Sequence, residues 1–438
     1  VVATVTELAN AIEGNVRANA NEPRKPTLPR HSVAFMFSGQ GVKEAHQLFD
    51  AISLLRQQSL VFGATFSECL GHLEPPVSLD QLAVNATEKP VVTQVVLLAF
   101  LISLARLWQS WGVQPVAVFG HSLGEVAASV TAGALSVSQA MRLVHSREAA
   151  MARYAVPGSM VAVMASSKQV QLAIDHVLTM SSTTHRESVV LAISAINSPT
   201  QTVVSGDEQS IERLISFLSN PQRDGDDDDD DDRQQSKVLR CIRLPNVAHA
   251  YHSPLIGEGV RSWCADEMVH RVLEQSESRQ DYLPIALFSS TTASKLEHAQ
   301  ARTMDHWANH ALGCVNFYQT AELVSKSVDV MLEIGSAAVL AATLQRALGS
   351  SSTSQQLQPV VTDDGSVGPM PMPLLVMPSF YQPSPNAWHA ILVQVGRLYE
   401  ETLVPIDWQA VYRDLVPTDS TRVVDHSLPT YAFERVPL

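Results

Sequence analysis

The stretch VAVFGHSLGEVAASV, Val116 to Val130, passes from a β-branched and aromatic run through Gly120-His121-Ser122-Leu123-Gly124 into small helix-forming residues. A buried strand, a tight turn and an amphipathic helix are predicted in that order. Flanking glycines permit the sharp strand-to-helix turn that lifts a serine hydroxyl to the helix N-terminus, so the pattern fits a G-x-S-x-G nucleophile turn. A structural turn with an incidental serine is the competing reading of the same five residues.

Working outward, VVTQVVLLAFLISLARLWQSWG precedes this stretch as a long apolar helix closed by Gly112, and SVAFMFSGQG before it is an apolar run ending in turn residues. Strand and helix therefore alternate, and a parallel α/β sheet is expected. From residue 158 to 245 the texture changes to strand, helix, two strands, helix and strand, the order of a ferredoxin-like subdomain. After Pro245 the alternating pattern resumes through VMLEIGSAAVLAATLQRAL. The expected organisation is an α/β core of residues 32–157 and 246–349, with the ferredoxin-like subdomain inserted between its halves. Residues 1–31 are expected to end an upstream linker, because a short amphipathic segment there gives way to the Pro-rich and basic NANEPRKPTLPRH. Residues 350–438 read as a loop, one helix (SPNAWHAILVQVGRLYE) and a Pro-punctuated extended tail.

The 438 residues, 45% of them hydrophobic, suffice for more than one globular part. A formal net charge of −14 argues against a nucleic-acid or anionic-membrane surface. Seven of those charges sit in the run Asp226–Asp232, and the segment 224–232 is expected to be a solvated loop, since successive aspartates without a shaping turn do not converge on a calcium ion. Cys69, Cys241, Cys264 and Cys314 are far apart, with no C-x-x-C pair, and read as thiols of a reducing, cytoplasmic compartment. No apolar run reaches the roughly 18 residues that cross a bilayer, and the start, lacking Met and a basic segment, reads as the edge of a piece of a longer chain.

A serine at neutral pH needs a general base, and histidine has the suitable pKa. VAHAYHSPLI holds His249 and His252 where the chain returns from the inserted subdomain, and either competes with the other thirteen histidines. His306 and His310, one helical turn apart in DHWANHAL, lack a third ligand for a metal. The free amides of the helix start are suited to an oxyanion, with Leu123 as the natural donor.

Taken in order, FMFSGQG, GHSLGE, SREAAM, INSPTQTVVSGD, HAYHSPL, HWANHALGCVNF and LEIGSAAVL resemble the acyltransferase domain of type I polyketide synthases, and more distantly the malonyl-CoA:acyl carrier protein transacylases of fatty acid synthesis. The resemblance runs from about Ser32 to Leu348 and implies an α/β-hydrolase-like core. LPTYAFER resembles the linker that follows such domains, and with HAYHSP it points toward an iterative fungal type of synthase. The resemblance implies that Ser122 is the nucleophile and His252 its base. It further implies a backbone carbonyl at the position of Asn316 orienting the base, amides of Gln40 and Leu123 forming the oxyanion hole, and Arg147 binding the substrate carboxylate beside His121. An arginine fork suits a free carboxylate, and so favours dicarboxylic acyl thioesters. The His249 and Tyr251 of HAYH imply malonyl rather than methylmalonyl units, because a bulky third residue leaves no room for an α-methyl group. One methylene is worth only about 1–3 kcal/mol in such a pocket.

The implied activity is transfer of malonyl from malonyl-CoA, through malonyl-O-serine, to the phosphopantetheine thiol of an acyl carrier protein, with a ketosynthase as neighbour in the chain and no metal or redox cofactor. A serine hydrolase or thioesterase, and a non-catalytic docking module, are the alternatives that G-x-S-x-G alone leaves open. Three departures from the family pattern stand out: VKEAHQLFD follows SGQG where a glycine-methionine-glycine turn is usual, Lys89-Pro90 is read against a usual Gln-Pro, and GSAAVL lacks a proline.

Overall fold

The computed structural model describes residues 31–39, 45–73, 90–184, 189–219, 238–245, 247–274, 285–352, 374–381 and 386–415. The first linker to residue 30, Gln40, the acidic segment 224–232 and the tail from 416 lie outside these residues.

The chain begins with β1 (Val33–Phe37), α1 (Ala45–Gln58), α2 (Leu60–Gly71), α3 (Pro90–Ser110), β2 (Pro115–Gly120), α4 (Leu123–Thr131) and α5 (Val137–Tyr154). A second group follows: β3 (Ser159–Val163), α6 (Ser167–Thr184), β4 (Leu191–Ser198), β5 (Gln201–Gly206), α7 (Glu208–Ser219) and β6 (Cys241–Arg243). The chain then runs through α8 (Gly257–Cys264), α9 (Glu267–Glu274), β7 (Ala286–Ser289), β8 (Ser294–Lys295), α10 (His298–Ala301), α11 (Met304–Leu312), α12 (Phe317–Ser325), β9 (Val330–Ile334), α13 (Leu340–Ser352), β10 (Leu375–Pro378), α14 (Ala387–Glu401) and α15 (Trp408–Leu415).

Two sheets form. The larger has the order β10-β9-β1-β2-β7-β8, parallel except for the short β7–β8 pair at one edge. All five residues of β1 are buried, as expected of a central parallel strand covered on both faces. The smaller sheet is antiparallel, in the order β4-β5-β3-β6. Its own apolar cluster lies between the sheet and α6 and α7, with Val161, Val170, Ile174, Val204, Ile211 and Leu214 fully or almost fully buried.

Helix α3 is the apolar run next to Gly112, and its length serves the core: Val96, Leu98, Phe100, Leu104, Trp108 and their neighbours are buried in the main cluster. Among the described residues no helix is long and apolar enough to cross a membrane. Trp111 stacks edge-on against both Trp108 and Trp388, which joins α14 to the core, so residues 387–415 pack on the domain instead of trailing from it. All four cysteines are free.

The two sheets meet at the carboxyl end of β2. Val315 donates to the Ser194 carbonyl and Ile196 to the Val315 carbonyl, both at 2.9 Å, so the chain before α12 pairs with β4 of the smaller sheet.

Candidate active site

Ser122 is the second of the two residues between β2 and α4, with φ 51° and ψ −120°. A non-glycine residue at positive φ is strained, and such strain persists only where the surroundings enforce it. Here the glycines on either side permit the close approach: a Cβ on Gly120 would lie 2.1 Å from the Gly124 carbonyl carbon, and one on Gly124 would lie 2.3 Å from the Phe37 carbonyl oxygen. The elbow is pinned to β1 by the His121 amide, which donates to Phe37 at 2.9 Å. The Leu123 amide, first of the helix, donates to no other described residue.

His252 is the second described side chain near this turn with positive φ, 59°. Its Nε2 accepts from the Ser122 hydroxyl at 2.8 Å, and its Nδ1 donates to the Gly313 carbonyl at 2.9 Å. A carbonyl only accepts, so Nδ1 carries the ring proton and Nε2 is left as the basic lone pair. The orienting carbonyl is thus Gly313 and not the position of Asn316. Asn316 lies beyond the end of that turn, where its side chain donates to Thr291 and its amide to Ser290. Burial, assisted by repulsion from His310, His121 and Arg147 if the ring were charged, lowers the His252 pKa to about 3.

Arg147, on α5, is 8% exposed. One of its η nitrogens donates to Gln94 Oε1 at 2.9 Å, and its Nε lies 3.7 Å from Glu148 Oε1. The Tyr251 hydroxyl donates to the other oxygen of Glu148 at 3.1 Å. Burial holds the Glu148 pKa above the usual carboxylate value, against the opposing pull of Arg147 and Tyr251. Tyr251 in turn is fixed through its carbonyl by Ser205 on β5 at 2.7 Å. A glutamine does contact the arginine, but it is Gln94; Lys89 lies outside the described residues.

His121 turns its Nε2 to the Asn197 amide oxygen at 2.9 Å, and burial lowers its pKa. His249 is half-buried, bridges Pro157 by a backbone pair and meets the Tyr251 ring edge-on at 5.8 Å. Ser122, His252, Arg147, His121 and Tyr251 are therefore gathered around one elbow, with His249 at its margin.

Behind the elbow lies a group whose members fall within GHSLGE and HWANHALGCVNF but carry no role in the reading of those motifs. Glu125 is fully buried on α4 and accepts from the amide and hydroxyl of Ser290 at 2.8 and 2.9 Å. Burial raises its pKa, but the histidines beside it, His310 and His306, outweigh that and hold it at about 2. His306 Nε2 lies 3.2 Å from Glu125 Oε1, and His310 Nε2 donates to the Ser122 carbonyl at 3.0 Å. Among the described residues there is no group of three or more side chains suited to a metal.

Residues 34–366 match the family described as the acyl transferase domain. The PKS-NRPS hybrid synthetase ATPKS of Aspergillus niger is 29% identical over 98% of this chain, and the chain spans 21% of that protein. Among solved structures, the acyltransferase domain from the second module of the salinomycin polyketide synthase is 27% identical, with a TM-score of 0.66 over 96% of this chain and 85% of that one. A loading acyltransferase from the avermectin modular polyketide synthase is 26% identical, with a TM-score of 0.61 over 84% of this chain and 100% of that one.

Proposed function

The chain belongs to the acyl transferase domain family, and from that premise we propose that it moves a malonyl unit from malonyl-CoA to the phosphopantetheine thiol of an acyl carrier protein, within a cytoplasmic polyketide synthase that also carries a ketosynthase. The observation that carries this reading is the 2.8 Å hydrogen bond from Ser122 to a histidine whose other nitrogen is held by a carbonyl. We read the smaller sheet as a ferredoxin-like subdomain set into an α/β-hydrolase-like core.

In the first half-reaction Ser122 Oγ attacks the thioester carbonyl carbon while its proton passes to His252 Nε2. The oxygen of that carbonyl becomes an oxyanion, for which the Leu123 amide is one donor and the Gln40 amide the expected second. The carbon–sulfur bond then breaks, and the leaving CoA thiolate takes the proton back from His252. Malonyl-O-serine remains. In the second half the pantetheine thiol attacks this ester and gives its proton to His252, which returns it to Ser122 Oγ as the ester bond breaks. A thioester is already activated, so this route asks for no metal or redox cofactor.

Arg147 supplies the selection for a free carboxylate. Its charge reaches His252, so it lies near the reacting serine, and its guanidinium is desolvated, which strengthens an ion pair with an incoming malonyl group. Tyr251, held by Glu148 and Ser205, is the bulky wall proposed to disfavour an α-methyl group, with His249 beside it.

The test is intact mass after incubation with malonyl-, methylmalonyl- and acetyl-CoA. A malonyl adduct is expected that is absent in Ser122→Ala and shifts toward acetyl in Arg147→Ala. Release of CoA through Ser122 with no adduct would mean that water is the acceptor and the domain a hydrolase. Neither adduct nor CoA would leave a docking module.

A further inference from the structure

We propose that His310 is a positioning residue that tunes the oxyanion hole through the Ser122–Leu123 peptide bond. The proposal rests on the reading above in one respect, that the Leu123 amide receives the oxyanion. His310 stands on α11, is 1% exposed, and its Nε2 donates to the Ser122 carbonyl at 3.0 Å across 188 residues of sequence. That carbonyl and the Leu123 N–H are the two ends of one planar amide. Whatever fixes the plane of one fixes the aim of the other.

Two consequences follow from the shared amide. The first is geometric. The serine sits at φ 51° and ψ −120°, outside the conformations that its own chain favours, so the peptide plane that follows it must be held from outside. The same carbonyl accepts from the Glu125 amide at 2.8 Å, a bond along the helix, while His310 reaches it from a different element. The second is electronic. A hydrogen bond to an amide oxygen draws density toward that oxygen and leaves the N–H a stronger donor, a gain of roughly 10–30% per bond in condensed phases. The Leu123 N–H, with no other described acceptor, is where that gain becomes available to a substrate.

The surroundings of the imidazole suit a fixed neutral donor. Its ring is packed edge-on against Trp307, with centroids 5.3 Å apart, and its Nδ1 has no hydrogen-bond partner among the described residues. Only one nitrogen is then engaged, and the acceptor on it decides the tautomer. Nothing in this arrangement touches the reacting atoms, which is why His310 positions and does not catalyse.

The experiment compares His310→Gln, which keeps an N–H donor, with His310→Phe, which keeps a ring and loses the donor. Two readouts are taken: the single-turnover acylation rate at saturating malonyl-CoA together with KM, and the rate of reaction with a fluorophosphonate. In the latter, Ser122 Oγ bonds to phosphorus, fluoride leaves, and the hydroxyl proton goes to His252, with a phosphoryl oxygen in the oxyanion position. Losing an oxyanion donor outright costs about 10²–10³-fold; losing its alignment and polarisation is expected to cost about tenfold in His310→Phe, on both readouts and with KM unchanged, while His310→Gln stays within about twofold of the parent.

Equal slowing of the two variants would assign His310 to packing alone and overturn the proposal, as would parental rates in both. If His310→Phe does not fold, His310→Leu takes its place under the same comparison. A parent protein that reacts with the fluorophosphonate but not with malonyl-CoA defeats the functional reading and leaves the His310 comparison running on the probe; one that reacts with neither defeats both.

Discussion

At the scale of single residues, the proposed base is defined by what its environment denies it. His252 has its pKa brought down to about 3, chiefly by burial, so the ring is neutral through the whole range in which the enzyme would work. The acylation rate is therefore expected to be flat from about pH 8 down to about pH 5, without the inflection near 6.5 that an ordinary histidine base produces. A stopped-flow profile of CoA release decides this, and a midpoint near 6.5 would mean that the base is solvated or is another residue. Replacing His252 by Ala is expected to slow acylation by about 10²–10⁴-fold. Gly124→Ala tests the elbow itself. The added Cβ would lie 2.3 Å from the Phe37 carbonyl, so α4 must move away from the end of β1, and activity is expected to fall sharply even if the variant folds. Near-parental turnover in Gly124→Ala would mean that the elbow tolerates a looser approach than its geometry implies.

At the scale of elements, helix α5 carries Arg147 and begins with a complete capping box, in which the Ser136 hydroxyl accepts from the Gln139 amide and the Gln139 side chain returns to the Ser136 amide. Ser136→Ala is expected to cost about 1 kcal/mol of unfolding free energy with acylation unchanged, read from urea midpoints. A large loss of activity would mean that the first turn of α5 sets the arginine three turns away. The alternation of strands and helices was legible from the sequence because apolar periodicity is a local property, and so were Ser122 and its flanking glycines, because the elbow is built from five consecutive residues. The partners of Arg147 and His252 were not. Gln94 lies 53 residues from Arg147, and Gly313 lies 61 from His252, and a backbone carbonyl has no side-chain signature at all. A glutamine inside the apolar run VVTQVVLLAF was a visible anomaly, since a buried amide demands a partner. Glu148, next to the arginine, was a second such sign. In the sequence His310 stands as half of a histidine pair too incomplete for a metal, with nothing local to tie it to the Ser122 carbonyl 188 residues away.

At the scale of the whole molecule, the site lies where the two sheets are stitched together, and its titratable groups are buried by both. Asn197 at the end of β4 holds His121, which follows β2 of the larger sheet, and Ser205 on β5 holds the carbonyl of Tyr251 in the segment after β6, so the smaller sheet fixes residues on both sides of the site. Burial on this scale links stability to pH. His252 and His310 have folded-state pKa values of about 3 and about 4, below the ordinary value of 6.5. The unfolded chain therefore binds more protons than the folded one below pH 6.5. The stability present above that pH is lost as pH falls toward the folded values. Glu125, lowered to about 2 from 4.5, acts in the same direction over a more acidic window. Each buried histidine adds up to about 1.4 kcal/mol of destabilisation per pH unit, so urea midpoints are expected to drop steeply between pH 6.5 and 4.5. Replacing His252 by Ala and His310 by Gln together removes both groups, and the slope is expected to flatten even though the double variant starts less stable at pH 7.5. An unchanged slope would place the acid sensitivity elsewhere and would mean that these imidazoles reach water when the two sheets breathe apart.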